Sequence, residues 1–300
     1  MLLKEFVEQS RSSLSEIYSK EEAALLTEML CTEIFGLQGY AFLIDPERKL
    51  GSAVLDKALQ CLRRLMGNEP IQYVLGYTEF YGEKFNVAPG VLIPRPETEL
   101  LCRHAIEEGM RMYRSRSAYG SSRPPVKILD LCSGSGCIAW TLASCIPLSG
   151  AVGLDISADA VQIAVNQPIS RKKGVCASFV VADIFDDDAV EKALAPSAPF
   201  DLVVSNPPYI LEKEKAAMRR NVLDWEPDIA LFVPDDDFGV FYRKIAGIAD
   251  KYMNTDAVGF VEINEAFGDA TARIFASAGF SAYEVLKDIS GKNRFVKFRK

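Results

Sequence analysis

Apolar residues recur at helical spacing from Met1 to about Gly76. Ala23, Leu26, Met29, Leu30 and Phe35 fall on one helix face, and Ser19 with Glu22 has the form of a capping box before them. Asp45-Pro46 and Gly67-Asn68-Glu69-Pro70 punctuate further helical stretches, so residues 1–78 are expected to form a small helical bundle. The composition then changes to FYGEKFNVAPGVLI, aromatic and β-branched residues around Gly82 and Pro89-Gly90, which predicts a β-hairpin connector over 79–93. After Pro94-Arg95-Pro96-Glu97-Thr98 a helix is expected to about residue 108, followed by a polar Arg- and Ser-rich loop, 109–125.

Beyond that loop, short apolar runs alternate with helical patterns: VKILDL, AVGLDI, ASFVVADI, FDLVVSN, AVGFVEI, FSAYEVL and RFVKFR. Runs of this kind separated by helices are the signature of βαβ units, so 94–300 reads as an α/β domain with a mainly parallel sheet covered by helices on both faces.

Composition narrows the function. The chain has 300 residues, 49% of them apolar, enough for a well-packed core. A net charge of -7 argues against a protein whose main partner is a phosphate backbone, and no direct nucleic-acid binding is expected. The seven cysteines (Cys31, Cys61, Cys102, Cys132, Cys137, Cys145 and Cys176) are scattered without a C-x-x-C, so neither a disulfide framework nor a metal site is expected, and a reducing cytoplasm fits best. Lys4, Glu5 and Glu8 break the apolar character of the first residues, and no segment approaches the roughly 18 uncharged apolar residues of a membrane span. No signal peptide or membrane anchor is read, and a monomer is the default. His104, in LCRHAIEEG, reads as a structural or surface histidine.

In an open α/β sheet, ligands bind beyond the carboxyl ends of the strands, and the polar residues gather there. The first strand ends at Asp130 and runs into Cys132-Ser133-Gly134-Ser135-Gly136, where the glycines allow a tight turn and the next helix points its amides at the crevice. The second ends at Asp155, a carboxylate placed to accept from ribose hydroxyls. The third delivers Asp183, able to take an exocyclic amine, beside Ile184 and Phe185, able to flank a purine. Together these imply an adenosine-type ligand, although Gly134 to Ala139 also satisfies the G-x-G-x-x-A form used for NAD.

The fourth strand ends at Asn206-Pro207-Pro208-Tyr209. Asn206 is held extended by the proline after it, and neither proline has an amide hydrogen, so the segment presents a rigid set of acceptors. A planar NH2 group could give its two hydrogens to the Asn206 side-chain oxygen and the Pro207 carbonyl, with Tyr209 offering an aromatic face. Cofactor-side and substrate-side groups thus share one edge.

The N-P-P-Y segment resembles the N/D-P-P-Y/F motif of amino methyltransferases that use S-adenosylmethionine. The chain as a whole resembles the HemK/PrmC family of protein-glutamine N5-methyltransferases. The resemblance runs through Glu69 to Gly76, Leu92 to Leu100, LDLCSGSGCIA, Ser205 to Ile210, Glu226-Pro227 with Ala230-Leu231, and Asp288 to Phe295. It implies a Rossmann-like class I methyltransferase domain (94–300) behind a helical domain (1–78) that docks the substrate. It also implies S-adenosylmethionine as cofactor, S-adenosylhomocysteine as product, and the GGQ glutamine of peptide chain release factors as methyl acceptor. By resemblance the cofactor contacts fall on Cys132, Ser133, Gly134, Ser135, Gly136, Asp155, Asp183, Ile184 and Asn206. The substrate clamp falls on Asn206, Pro207, Pro208 and Tyr209, with Asn206, Pro207 and Tyr209 as the catalytic set. Cys132 stands where many members have glycine, Ile184 where some have an aromatic, and Glu226 to Asp237 lacks a glycine pair that many show. The alternatives are an adenine-N6 DNA or RNA methyltransferase and a non-catalytic module that retains a cofactor pocket.

Overall fold

The computed structural model describes residues 1–37, 44–116, 120 and 124–300. These divide into two compact units, Met1–Tyr77 with Met218–Trp225, and Thr78–Ala217 with Glu226–Lys300. Part of the Arg- and Ser-rich segment, 117–119 and 121–123, lies outside the described residues.

The smaller unit is helical: α1 (Leu3–Leu14), α2 (Lys20–Phe35), α3 (Ser52–Met66) and the short α4 (Ile71–Leu75). Ser19 caps α2 by accepting the Glu22 amide at 3.1 Å. Leu14, Leu26, Leu30, Leu62, Leu65 and Ile71 meet in its core, as the helical periodicity requires. Glu69, 4% exposed, accepts from Arg64, whose guanidinium also donates to the carbonyls of Tyr73 and Val74. That arginine ties the start of the EPIQYVLG stretch to its end.

The larger unit opens with the hairpin β1 (Tyr77–Phe80) and β2 (Glu83–Asn86), followed by α5 (Thr98–Ser115). The expected end of this helix near 108 is too early. Met112 and Tyr113 pack on the apolar core, and the buried Glu108 accepts from Arg111, Lys297 and Arg299, so the polar sequence stays helical through Ser115.

Seven strands form the main sheet. In chain order they are β3 (Val126–Leu131), β4 (Ser149–Asp155), β5 (Ala177–Val181), β6 (Phe200–Ser205), β9 (Met253–Glu262), β10 (Ala282–Lys287) and β11 (Asn293–Arg299). Two short strands, β7 (Ile210–Leu211) and β8 (Phe232–Val233), pair separately. Intervening helices are α6 (Cys137–Cys145), α7 (Ala158–Val165), α8 (Asp187–Leu194), α10 (Val240–Tyr252) and α11 (Gly268–Ser277), with the short α9 (Arg220–Leu223) in the smaller unit. The sheet order is β10-β11-β9-β6-β3-β4-β5, with β11 antiparallel to both neighbours and β9, β6, β3, β4 and β5 mutually parallel.

Strand pleating separates two cores. Leu129, Leu131 and Val203 face the cluster that includes α10 and α11, whereas Val126, Ile128, Leu202 and Val204 face the one that includes α5 and α6. Register brings the strand ends into line: Leu131 pairs with Leu154 on one side and with Ser205 on the other, and Ser205 pairs with Val261. Residues following β3, β4, β6 and β9 therefore emerge along one edge.

Candidate active site

The loop after β3 turns by entering left-handed backbone three times, at Cys132 (φ 60°), Gly134 (φ 53°) and Gly136 (φ 75°). A side chain at Gly136 would also meet the Phe179 ring at 2.7 Å, so glycine is required there for space as well as for angle. The loop is anchored from beneath and from the side. Ser133 donates its amide to the Leu154 carbonyl at 2.9 Å, and Gly134 donates to Asp155 Oδ2 at 2.7 Å. Asp155 Oδ1 accepts the Ser157 amide at 2.9 Å. Burial pushes the Asp155 carboxyl upward and the two amides pull it back, with burial the larger effect.

Asp130, the last acid of β3, lies fully buried below the loop. Its Oδ2 accepts the Ala139 amide at 3.1 Å, pinning the first turn of α6, while Oδ1 finds no partner among the described residues. Burial raises this carboxyl to about 8, so it carries a proton at neutral pH. The Ser133 hydroxyl is likewise without a partner among the described residues.

Asp183 Oδ1 accepts the Phe185 amide at 2.9 Å and so shapes the turn after β5. Ile184 is buried, whereas Phe185 is 44% exposed and stands edge-on to Phe241 at 5.2 Å. Across the edge, the Ser205 hydroxyl donates to the Leu131 carbonyl at 2.7 Å, fastening the end of β6 to β3. Asn206 Nδ2 donates to Thr98 Oγ1 at 3.3 Å, Thr98 Oγ1 donates to Glu262 Oε2 at 2.8 Å, and the Tyr209 hydroxyl donates to Glu262 Oε1 at 3.0 Å. Pro207 and Pro208 are buried.

A cavity of about 270 Å³ joins these elements. Of the sequence-predicted residues, Cys132, Ser133, Gly134, Ser135, Asp155, Asp183, Ile184, Asn206 and Pro208 line it. Gly136, Pro207 and Tyr209 are not in its wall: Gly136 packs over Phe179 and Tyr209 is tied to Glu262. Ile156 and Phe185 contribute exposed apolar surface to the lining. Further wall comes from Gly90, Val91, Leu92 and Pro94 and from Pro227, Ile229 and Ala230, two stretches that a single side chain connects. Glu226, 5% exposed, accepts the Ile93 amide at 3.1 Å and Arg95 at 2.7 Å. The glycine-poor stretch that follows makes one 3-10 turn, Asp228–Ala230, and then pairs through β8 with β7, just past Tyr209. His104 lies away from the cavity, beside Phe260 and Phe295, and burial lowers its basicity, in keeping with a structural role.

Comparison with known proteins bears on both units. A model of the PrmC N-terminal domain matches residues 5–76, and one of a methyltransferase domain matches 123–231. A release factor glutamine methyltransferase of Bacteroides thetaiotaomicron is 36% identical over 286 residues, 95% of this chain and 96% of the relative. The chain belongs to the release factor glutamine methyltransferase family. A relative of the same name from Flavobacterium psychrophilum is 32% identical with 99% of each chain covered, and one from Chlorobaculum tepidum is 35% identical over 91% of this chain and 89% of its own. Among solved structures, the hMettl16 catalytic domain in complex with MAT2A 3'UTR hairpin 6 shares the fold, with a TM-score of 0.51 at 11% identity over 83% of this chain and 82% of that one.

For this member of the release factor glutamine methyltransferase family, the Rossmann-like methyltransferase fold and the helical N-terminal domain are as the resemblance implies. Several contributors carried no role in the sequence. Gln167, fully buried, donates to the carbonyls of Asn86 and Ser135 and accepts the Asn86 amide, joining β2 to the glycine loop. Thr98 and Glu262 were equally without a role, and Asp130 and Glu226 were read only as a strand end and as part of the family resemblance. The one available signal was a lone acid closing an apolar strand, as Glu262 does in AVGFVEI. Among the described residues, no helix is long and apolar enough to cross a membrane.

Proposed function

We propose that this chain methylates the side-chain amide nitrogen (N5) of the glutamine in the GGQ motif of peptide chain release factors, with S-adenosylmethionine as donor. The observation that carries the proposal is a single cavity bordered at one side by Asp155 and Asp183 and at the other by Asn206, in a chain matched over nearly its whole length by release factor glutamine methyltransferases.

The cavity's chemistry suits the donor. Asp155 accepts hydroxyl hydrogens, Asp183 accepts from an exocyclic amine, and Ile184 and Phe185 offer apolar faces to a purine. When bound, S-adenosylmethionine supplies a methyl group on a positively charged sulfur. The protein's task is to make a poor nucleophile reactive. An amide nitrogen shares its lone pair with the adjacent carbonyl; accepting both N–H hydrogens, at Asn206 Oδ1 on the cavity wall and at the Pro207 carbonyl that the family resemblance implies, favours a geometry in which the pair points at the methyl. A donor held by Asp155, Asp183 and Ile184 would supply the methyl, its carbon–sulfur pair staying with sulfur as the nitrogen–carbon bond formed, and the extra amide proton would leave to water. Alignment of this kind contributes on the order of 7 to 11 kcal/mol, and acceptor oxygens stabilise the positive charge developing on nitrogen. No base stronger than water is needed.

The test offers radiolabelled donor in parallel to a release factor, its GGQ-to-GGA variant and duplex DNA. Label on the native factor alone supports the proposal; label on DNA, or on the GGA variant equally, overturns it.

A further inference from the structure

We propose that Thr98 and Glu262 are positioning residues that determine which end of the Asn206 side-chain amide faces the reacting nitrogen. This inference rests on Asn206 acting as a substrate acceptor.

An asparagine amide has two ends of nearly equal size and opposite character, an oxygen that accepts and an NH2 that donates. Reversing it by 180° changes the shape of a site very little and inverts its chemistry. A clamp for a substrate NH2 needs the oxygen outward. Proline neighbours stiffen the backbone at Asn206 but exert no control over this side-chain rotation, so another group has to set it.

The hydrogen-bond order around Thr98 supplies that control. Glu262 ends β9 with 1% exposure and has an oxygen for each of two hydroxyls: Oε2 accepts from Thr98 at 2.8 Å and Oε1 from Tyr209 at 3.0 Å. Each hydroxyl has a single hydrogen, and each gives it to this carboxylate. Thr98 Oγ1 is then only an acceptor towards its remaining neighbour. That neighbour is Asn206, and the atom facing Thr98 at 3.3 Å is the donor Nδ2. The opposite end, Oδ1, is left to the cavity, which both Thr98 and Asn206 line.

The same chain of reasoning explains a buried carboxylate that does not itself line the cavity. Burial raises the Glu262 carboxyl, while the Thr98 and Tyr209 hydroxyls and the positive charge of Arg294 oppose that rise. Arg294 is itself held by Asp288 at 3.1 Å. Position is conveyed from β9 through the first residue of α5 to the end of β6, across three elements that only the folded sheet brings together.

The variants Thr98→Val, Thr98→Ser and Glu262→Gln test it, with kcat and KM measured on a GGQ-bearing release factor and donor affinity measured by calorimetry. Thr98→Val keeps the volume and removes the hydroxyl, and kcat is expected to fall roughly 100-fold, the scale of loss that misplacing a reacting group by about 1 Å produces. KM and donor affinity should stay near wild type, and Thr98→Ser should restore kcat. Glu262→Gln gives one neighbour a donor NH2, which lets Thr98 turn its hydrogen to Asn206 and present the wrong amide end, so kcat should fall there too. In an Asn206→Asp background, where both ends accept, the Thr98→Val loss should largely vanish. Wild-type kcat in Thr98→Val, a serine variant as impaired as the valine one, or an undiminished loss in the aspartate background would each overturn the inference. Asn206→Ala separates it from its premise: if that variant turns over normally, the acceptor role of Asn206 is what fails.

Discussion

The Gly134 amide donates to Asp155 Oδ2 at 2.7 Å, so the loop that follows the first strand of the sheet is bound to the acid that ends the second. Asp155→Asn should disturb both at once, because the new NH2 must face either the Gly134 or the Ser157 amide, a donor against a donor. A hydrogen bond to a charged group contributes about 1.5 to 3 kcal/mol. Calorimetry should accordingly show donor affinity reduced by roughly ten-fold or more, with kcat at saturating donor less affected.

Gly136→Ala should destabilise the larger unit. Left-handed backbone costs a side-chain-bearing residue about 1 to 2 kcal/mol, and the added methyl meets the Phe179 ring at 2.7 Å. Urea denaturation should show a lowered midpoint, and donor affinity should fall with it.

Cys132→Gly has the opposite expectation. Cys132 already pays the left-handed penalty at φ 60°, and glycine removes it. The net gain should stay below about 1 kcal/mol once the greater freedom of unfolded glycine and the lost packing of the side chain on the core are subtracted, read as a slightly higher melting temperature. Burial also pushes the Cys132 thiol well up, so it should alkylate slowly at neutral pH in the wild type.

The buried Asp130 gives stability a pH dependence. Its carboxyl titrates near 8 in the fold against 3.8 when unperturbed, so between those values the native state holds a proton that the unfolded chain has lost. Stability from this group is complete below pH 3.8 and declines as pH rises through about 8. Asp130→Asn keeps an acceptor for Ala139 and needs no proton. Denaturation curves at pH 6 and 9 (roughly either side of the native titration) should lie closer together in the variant, which should be the more stable at the higher pH.

Glu226→Ala should loosen one wall of the cavity, since it frees the Ile93 amide and Arg95 together. Donor affinity is expected to drop, and Arg95→Ala should have a smaller effect because the Ile93 contact persists. Equal effects of the two changes would place the whole contribution in the ion pair.

Much of this architecture was legible beforehand because of how parallel sheets are buried. Strands covered on both faces must be apolar throughout, and VKILDL, FDLVVSN and AVGFVEI announce themselves; register then carries Asp155 and Asn206 to one edge. The continuation of α5 to Ser115 was hidden because its stabilising partners, Lys297 and Arg299, lie some 190 residues away. Distance in sequence concealed the Asn206 network likewise: Thr98 and Glu262 are 164 positions apart, and Asn206 is 108 from Thr98. Periodicity reports which face of an element is buried, and has nothing to say about which polar groups two distant elements will exchange.

The placement of β11 has a consequence for synthesis on the ribosome. It lies between β9 and β10 in the sheet although both precede it in the chain. A nascent chain that has emerged only as far as β10 therefore leaves β9 with one unpaired edge and β10 with no strand to pair with, since β11 is its sole neighbour in the sheet. Until Asn293–Arg299 arrives, Phe260 and Val285 lack their cross-strand partners, Lys297 and Val296. Growth of the sheet is thus out of step with growth of the chain, and the last strand made is the one that joins β10 to the rest.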